Sequence, residues 1–576
     1  GIKNIDPPVR LSFSPYLSSY MEFTEGSSDP EFVYKGGMDL KYGINNSYTL
    51  DMMLIPDFGQ IQSDDVELNL SPFELYHDEK RQFFNEGTEL FQRSDVFYSR
   101  RMGAAPKFSG DLDDELNSDE VIDYNPSETQ LINATKITGR NHKGLAIGVL
   151  NAMSSNSFAT IKDTIENSTR DVLVQPFTNY NVLVFDKTLK NNSYLSLINS
   201  NMSLTDNPFY ANTTATEFKF RDKSKTYSIS GDAGVSMIYD EASGGYAKIR
   251  VQKDAGNFKY KFFQDYYDPQ YNPNHMGYLR RNNKSETGID FSYSIVEPFS
   301  IFRELHSDIS AEYIRVVEPK DVFGSEVVFS TYALCKNNFG AQLYSVWEST
   351  LHDYYEARVS NRFYKDASHY MVNLYAHSNR SKQFSIEASY GFFNRDQVNE
   401  RGHWWNTELN LRIGQRLALE YELSNDVTQN DHGYVDDDEN AIYFSRRDLN
   451  TIENEFELAY IFNKNVSLNM RARHYWSSAK NKQFYQLQQN GTLLNDPTYE
   501  GCEDENLNVF NIDMKLRWIF APGSELSFAW KNAVSNNNDE VYRSYKRNLD
   551  HTFSYPSTHS FSLKLLYYLD YNQLRK

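Results

Sequence analysis

The sequence is poor in three features on which many proteins depend: cysteine, long apolar runs and clustered positive charge. Its two cysteines, Cys335 and Cys502, lie far apart and match no zinc-binding or redox spacing, so we expect unpaired thiols, with a disulfide between them as the alternative. It has no apolar run of about 18 residues, which excludes a transmembrane helix. The net charge of −20 excludes a protein built to bind nucleic acid, which needs clustered lysine and arginine.

Tyrosine and phenylalanine are abundant although the chain is polar overall. The 42 tyrosines and 38 phenylalanines make up nearly all of the 15% aromatic content, whereas hydrophobic residues total only 40%. A large soluble core would need more leucine, isoleucine, valine and alanine than this. Aromatic residues in an otherwise polar chain suit a wall with one apolar face and one wet face.

Apolar and polar residues alternate with a period of two along much of the chain, which predicts β-strands. In the last strand Phe561, Leu563 and Leu565 fall on one face, while Ser562 and Lys564 fall on the other. Helical periodicity is almost absent. The chain is therefore predicted to be all-β, either as a soluble assembly or as a barrel.

The connections between the predicted strands favour the barrel. Short links at 414–415, 463–465 and 521–523 alternate with long polar links at 481–505 and 537–556. Short turns on one side and long loops on the other are typical of a transmembrane β-barrel of the outer membrane. Closing the barrel also pairs every backbone group at a sheet edge, which lipid requires.

This scheme predicts the architecture of the whole chain, residues 1–576, as a single domain. It gives about 24 antiparallel strands, an even number. Both termini are predicted to lie on the short-turn, periplasmic side, and the long loops, including 394–401 and 427–440, on the extracellular side. We expect the last strand to pair with residues 10–24 and close the ring. A soluble all-β assembly is the alternative.

A barrel of this size has a lumen too wide for its wall side chains to fill, so it is either a channel or plugged. Strand alternation lapses over residues 57–128, which is far longer than a hairpin loop. The first part, 57–92, mixes charged residues with phenylalanines and is predicted to fold inward as a lumen plug. The second part, 110–130, is acidic and poor in aromatic residues, and we expect a mobile loop there.

The beginning of this segment resembles a known family. The stretch LIPDFGQIQSDDVELNLSPFELYHDEKRQFFNEGTELF, followed by FYSRRMG, is similar to the motif of a Bacteroidota outer-membrane family, as is GYLRRN at 277–282. In that family a carbohydrate-binding-module-family-9-like domain precedes a barrel domain of unknown function. The sequence departs from this pattern in starting at the barrel domain, and we expect the upstream domain to have been cut off or left out of it. The resemblance implies a barrel without established enzymatic activity, and so no catalytic residue, metal or cofactor is expected.

The candidate site residues belong to the predicted plug and its anchors, and we expect their role to be structural. Lys80 and Arg81 would pair with carboxylates of the plug and the wall, while Phe83 and Phe84 pack the plug. The full set is Asp57, Phe58, Gln60, Asp64, Glu79, Lys80, Arg81, Phe83, Phe84, Glu86, Arg100 and Arg101.

Chemical alternatives for the same region are weaker. The carboxylates of this set could serve acid–base catalysis, but no nucleophile or metal ligand accompanies them. His77 could bind a metal, although one histidine without a second at a suitable spacing is weak evidence. The acidic stretch 430–440 has enough oxygen atoms for calcium but lacks the order of an EF-hand loop, so a solvated loop is the expectation.

Paired arginines occur twice, in FYSRR at 97–101 and YFSRR at 443–447. The guanidinium group suits phosphate, so these pairs could bind anionic solutes or lipopolysaccharide. They could equally hold plug carboxylates. We favour the second role for Arg100 or Arg101.

Two functions from different classes follow. The first is a plugged channel or transporter for a bulky solute such as a glycan. The alternative is a non-enzymatic scaffold subunit of an outer-membrane complex for barrel assembly or protein secretion. Outer-membrane lipid and lipopolysaccharide are the expected surroundings in both cases, with partner proteins or a glycan as further partners and no nucleic acid.

Overall fold

The structure is a computed structural model, and it describes residues 9–26, 30–439, 441–499, 501, 504–542 and 544–574. Strands make up most of it. They are β1 (Leu11–Thr24), β2 (Glu31–Gly43), β3 (Tyr48–Leu54), β4 (Glu120–Tyr124), β5 (Leu131–Arg140), β6 (Leu145–Ser154), β7 (Ser157–Asp163), β8 (Thr169–Gln175), β9 (Thr178–Thr188), β10 (Tyr194–Leu204), β11 (Tyr210–Arg221), β12 (Tyr227–Ile238), β13 (Gly244–Lys253), β14 (Phe258–Tyr267), β15 (Lys284–Ile295), β16 (Phe302–Val316), β17 (Asp321–Cys335), β18 (Gly340–Glu348), β19 (Leu351–Asp353), β20 (Tyr364–Asp366), β21 (His369–His377), β22 (Phe384–Arg395), β23 (Glu400–Ile413), β24 (Leu417–Asp437), β25 (Ile442–Asn463), β26 (Val466–Leu487), β27 (Leu493–Asn495), β28 (Glu505–Ala521), β29 (Ser524–Asn538), β30 (Thr558–Leu566) and β31 (Leu569–Asp570).

Helices are short and few among these residues. They are α1 (Gln82–Asn85), α2 (Tyr545–Thr552) and α3 (Tyr571–Leu574), with 3-10 turns at Ser99–Arg101, Leu112–Glu115, Lys190–Asn192 and Asp396–Val398. In the part of the chain that the structure describes, none of the helices has the length and apolar character needed to cross a membrane.

The strands form one closed antiparallel barrel. Within the described ranges 26 strands join a single sheet. Two of them do not add to the circumference, because β27 pairs only with the end of β26, and β31 continues β30 along β1. The barrel wall therefore has 24 strands. Each strand pairs with the next one in the chain order of the wall, and β30 pairs with β1 from Tyr16↔Leu566 to Thr24↔Thr558. The predicted all-β barrel, its strand number and its closure by the last strand are confirmed.

Alternation along the strands separates an exposed apolar outer face from an inner face. In β13 the side chains of Ile249 and Val251 are exposed on the outside, whereas Tyr246 is buried on the opposite face. In β30 Leu563 and Leu565 are likewise exposed. Successive side chains of a strand point to opposite faces, so this pattern gives the barrel an apolar exterior and turns the alternate side chains to the lumen.

The two ends of the barrel differ in the length of their connections. Short connections such as 414–416, 464–465 and 522–523 lie at one end, where β1 begins and β30 ends. Long connections lie at the other end, at 55–130, 155–177, 268–283, 349–368, 488–504 and 539–557. Within the described residues four of these carry further strands: β4, β7 and β8 form a separate small sheet, β19 pairs with β20, and β27 pairs with β26.

Some predicted loops are wrong. Residues 427–437 belong to β24, in which Asp431 pairs with Arg447 of β25, and 394–401 contains only a four-residue turn between β22 and β23. The ladder of backbone hydrogen bonds continues beyond the apolar belt, where polar residues on both faces hide the period of two. The acidic stretch 110–130 likewise contains strand β4 rather than a structureless loop.

Of the two cysteines, one has a defined position. Cys335, the last residue of β17, is a half-buried free thiol. Cys502 lies outside the described residues.

Candidate functional site

We call residues 55–130, which join β3 to β5, the long connection. Because β3 pairs directly with β5, the connection starts and ends at neighbouring points of the wall. Its side chains and backbone nevertheless bond to strands far around the barrel. The wall partners include Lys564 in β30, Ser527 in β29, Arg471 in β26, Ser200 in β10 and Glu217 in β11.

Asp57 makes the first of these contacts and is buried. Its carboxylate accepts hydrogen bonds from the hydroxyls of Ser18 and Tyr20, each at 2.7 Å, and Lys564 Nζ lies 3.7 Å away. Burial alone would raise the pKa of Asp57, but the hydrogen bonds and the lysine charge hold the pKa below its ordinary value. Asp57 is therefore an ionised anchor on the strands that close the barrel.

Gln60 and Ile61 continue along the same side. The Ser527 hydroxyl donates to Gln60 Oε1 at 2.6 Å, and Gln60 Nε2 donates to the Ser562 hydroxyl at 3.1 Å. Lys531 Nζ donates to the backbone carbonyl of Ile61. Both polar ends of the glutamine are satisfied by the wall, so its orientation is fixed.

Asp65 is held by two arginines of β26. Arg471 Nη1 lies 2.7 Å and Arg473 Nε 3.8 Å from Asp65 Oδ1, and Arg473 also donates to the Val66 carbonyl at 3.1 Å. Burial would raise the pKa of Asp65, but the Arg471 hydrogen bond and charge hold the pKa below its usual range. Sequence reasoning missed Asp65 and both arginines, because their separation in the chain gives no local signal.

Lys80 and Arg81 bond within the long connection rather than to the wall. Arg81 is buried, and its guanidinium donates to both Glu79 carboxylate oxygens and to the backbone carbonyls of Ser99 and Met102 at 2.6 to 2.8 Å. Lys80 Nζ donates to the Ser63 carbonyl at 2.9 Å. These two cations organise the segment itself.

The remaining charged residues of the predicted set join the same network. Lys80 and Arg100 both pair with Asp64, and Arg101 forms a two-pronged pair with Glu74, both contacts at 2.7 Å. Glu86 lies 3.7 Å from Lys41 of β2, and Lys136 of β5 donates to the backbone carbonyls of Phe83 and Glu86. The structure thus brings the predicted residues together in one folded segment.

The apolar residues of the long connection pack on one side of the wall. Phe83, Phe84, Phe91, Val96 and Met102 share a buried cluster with inward residues of strands β5 to β14, together with two residues of the connection 268–283. The wall and loop members are Leu131, Ala134, Leu150, Ala152, Tyr180, Val182, Val184, Ile198, Met202, Leu204, Ala215, Tyr246, Tyr267, Tyr271 and Met276. At the strands from β26 to β30, by contrast, the long connection is held mainly by the polar contacts of Asp57, Gln60 and Asp65.

Two other long connections bond to this segment. From 268–283, the Met276 carbonyl accepts from Tyr98 N at 2.6 Å, and the Tyr278 hydroxyl donates to the Glu74 carbonyl at 2.8 Å. From 349–368, Arg358 donates to the Leu70 carbonyl at 2.7 Å. The GYLRRN motif at 277–282 therefore lies against the motif of the long connection, a contact that the resemblance alone did not predict.

The wall near β23 to β25 carries carboxylates that face one another. Glu408 pairs across the ladder with Glu422, and Glu422 with Glu455. Further along the same strands, Glu420 pairs with Glu457. Like charges placed directly opposite are destabilising in a sheet, so this arrangement costs stability.

His77 and the acidic stretch 430–440 are the two alternatives for a metal site. Among the described residues, no group of three or more histidine, cysteine, aspartate or glutamate side chains converges on a metal site. The backbone of His77 hydrogen-bonds the Tyr98 hydroxyl in both directions, at 2.9 and 2.7 Å.

Solved structures with a related outline are known at low identity. The crystal structure of BauA, the ferric preacinetobactin receptor from Acinetobacter baumannii, is 8% identical, covering 96% of this chain and 80% of that one, with a TM-score of 0.39. Pseudomonas aeruginosa OccK9 is 9% identical over 74% of this chain and 97% of that one, with a TM-score of 0.32. Pseudomonas aeruginosa OpdQ is 12% identical over 74% and 98%, with a TM-score of 0.30. The barrel assignment rests on the strand pairing described above.

No curated protein matches the sequence. One family model does, and it spans residues 7–576, nearly the whole chain. That model is described as a domain of unknown function, DUF5916. The protein therefore belongs to the DUF5916 family.

Proposed function

We propose that the protein is an outer-membrane channel whose lumen is narrowed by the long connection acting as a plug. Support for the membrane comes from the apolar exterior of a closed 24-stranded barrel, which suits lipid rather than water. In this proposal the end with short connections is periplasmic, the long connections are extracellular, and lipid and lipopolysaccharide surround the wall. Support for a plug comes from the bonds of the long connection to distant wall strands.

The observation that carries the channel proposal is the set of facing carboxylates on the wall. Glu408, Glu422 and Glu455 lie opposite one another on three successive strands, at a cost in stability that the ion pair between Glu455 and Arg471 offsets in part. A barrel serving only as a scaffold would gain stability from neutral residues there. Neighbouring like charges that destabilise a sheet are expected at functional positions, here where a solute would pass through a water-filled lumen.

The solute is proposed to be polar and larger than an ion. Two cavities of about 470 and 700 Å³ lie on either side of Gln60–Gln62. A glycan is one candidate, and its support is the resemblance to a Bacteroidota family with an upstream carbohydrate-binding-like domain. The proposed role is transport without catalysis.

The test removes the proposed plug. A variant in which residues 57–109 are replaced by a short glycine–serine linker is compared with the intact protein by single-channel recording in planar bilayers. We expect a larger and noisier conductance, because the polar and apolar contacts that hold the segment inside the wall are gone. Heat-modifiable gel mobility checks that the barrel still forms.

The matched control replaces α2, Tyr545–Thr552, with the same linker. Asn548 of α2 bonds Asn508 of β28. The next residue of β28, Val509, packs on Leu68 of the long connection and therefore points to the lumen. Because successive side chains of a strand point to opposite faces, Asn508 and α2 lie on the outer face of the wall. The control should leave conductance unchanged. Near-zero conductance in the intact protein and in both variants would contradict the channel proposal and favour the scaffold.

A further inference from the structure

The smaller of the two cavities has an unusual lining. It has a volume of about 470 Å³ and lies between Gln60–Gln62 and the wall near the short-connection end. Its wall residues come from β23, β24, β25, β26, β28 and β29. The charged ones are Arg412, Glu420, Glu457, Arg471, Asp513, Lys515 and Lys531.

Some of these charges already have partners. Arg471 bonds to Asp65 and Glu455, and Lys531 Nζ lies 3.9 Å from Asp513 while donating to the backbone of Ile61. These groups hold the long connection in place. They are therefore not available to a solute without releasing it.

Glu420, Glu457 and Lys515 are different. Within the described ranges none of the three forms an ion pair with another side chain, although all three line the same cavity. Glu420 and Glu457 are direct cross-strand neighbours, so their two negative charges are concentrated at one place. Apart from the paired groups, the cavity thus has negative charge on β24 and β25, with Lys515 on β28 at one side of it and Arg412 on β23 at the other.

The spacing between the two sides sets the length of a ligand that would reach both. Only β26 separates β25 from β28, and neighbouring strands lie about 4.8 Å apart, so these backbones are about 10 Å apart. An extended di- or tripeptide spans about 7 to 10 Å between its charged termini. An ammonium group at one end and a carboxylate at the other would neutralise both sides at once.

Other ligand classes fit the lining less well. Among the described residues that line the cavity none is aromatic, so a sugar ring would find no flat face on which to stack. A polycation would meet Lys515 and Arg412, and a polyanion would meet Glu420 and Glu457. A compact amino acid carries its two charges too close together to reach both sides.

We propose that this cavity is a binding subsite for short peptides with free termini, with Glu420 and Glu457 receiving the ammonium group and Lys515 the carboxylate. The proposal rests on the proposed channel function, since it names the class of solute that enters the lumen. Gln60 and Gln62 of the long connection form the rim of this subsite.

The test is isothermal titration calorimetry on the full chain in detergent, which requires no conduction. The probes are trialanine, N-acetyl-trialanine amide and maltotriose. We expect trialanine to bind and the capped peptide and maltotriose not to. The double variant Glu420→Gln with Glu457→Gln, and separately Lys515→Gln, should each weaken trialanine binding at least about tenfold, since each removes one charge-assisted contact.

The control is Glu387→Gln, a wall carboxylate that bonds Arg380 and Tyr375 away from the cavity, and it should leave binding unchanged. The subsite proposal is overturned if the capped peptide binds as well as trialanine, if maltotriose alone binds, or if no probe binds. It is also overturned if the cavity variants bind trialanine with the affinity of the intact protein. Conductance measurements separate the subsite proposal from the channel proposal. Trialanine binding without conductance contradicts the channel alone. Conductance without trialanine binding contradicts the subsite alone.

Discussion

Arg81 shows how a single charge can organise the long connection. Its guanidinium contacts Glu79 and two backbone carbonyls, and it also lies over the rings of Phe58 and Phe84, at 5.3 and 4.3 Å from their centroids. Buried cations of this kind are stable only when every donor is used. One side chain therefore ties together three parts of the segment.

Replacing Arg81 with methionine should loosen this region without opening the barrel. The change leaves the Glu79 carboxylate buried without its partner and removes hydrogen bonds to Ser99 and Met102, at a cost of about 3 to 5 kcal/mol. Backbone amides of residues 98–102 should then exchange with deuterium at least about 100-fold faster, as measured by mass spectrometry.

The matched control is Gln82→Ala, which changes the exposed neighbour of Arg81. Exchange should stay within about twofold of the intact protein. Equal exchange in the methionine variant and the control would show that Arg81 does not hold the segment.

At this scale the sequence shows which residues interrupt the strand pattern, but not which residues they contact. The charged and aromatic residues of 57–101 stand out because they interrupt strand alternation. Their wall partners, such as Arg471 and Lys564, are hundreds of positions away and are chosen by barrel closure and register. No local pattern carries that information.

Among the elements, the connection 268–283 has a built-in sensitivity to acid. His275 packs its ring against Phe209, with centroids 5.1 Å apart. Burial, followed by the nearby charges of Lys107 and Arg101, lowers the pKa of His275 from 6.5 to about 4. The docked connection therefore holds a neutral histidine.

The sign of the pH effect follows from that lowered pKa. When the connection 268–283 is released from the barrel, His275 takes up its proton near pH 6.5, whereas in the folded position it does so only near pH 4. The packing of this connection is therefore fully favourable above pH 6.5 and weakens as the pH falls to about 4. Hydrogen exchange of residues 272–278 should rise across that window. With His275→Gln the exchange should be flat, and an equal rise in that variant would assign the effect to another group.

For the whole molecule, the barrel is the part most fully predicted from sequence. The period of two, the short links and the pairing of the last strand with residues 10–24 are all local or terminal features, and each is confirmed. The strand ends are not, because β24, β25 and β26 extend past the apolar belt with polar residues on both faces. There, backbone hydrogen bonding continues without an amphipathic pattern.

The apolar exterior makes a prediction that tests the membrane environment of the whole barrel. Leu374, near the middle of β21, is exposed on the outer face, opposite Leu343 and Tyr390 of the flanking strands. Leu374→Arg should lower the free energy of unfolding in lipid vesicles by about 2 to 4 kcal/mol, the cost of an arginine near the bilayer midplane. Denaturant titration followed by tryptophan fluorescence measures it.

The control places the same arginine on the inner face one strand away. Ser389 of β22 alternates with the exposed Tyr390 and so points to the lumen, the side on which Glu387 of the same strand also lies. Ser389→Arg should change the free energy of unfolding by less than about 1 kcal/mol, since lumen substitutions are tolerated. If both arginines cost the same in vesicles, or if Leu374→Arg is as stable as the intact protein, the outer face does not meet lipid and a soluble all-β assembly becomes the better description.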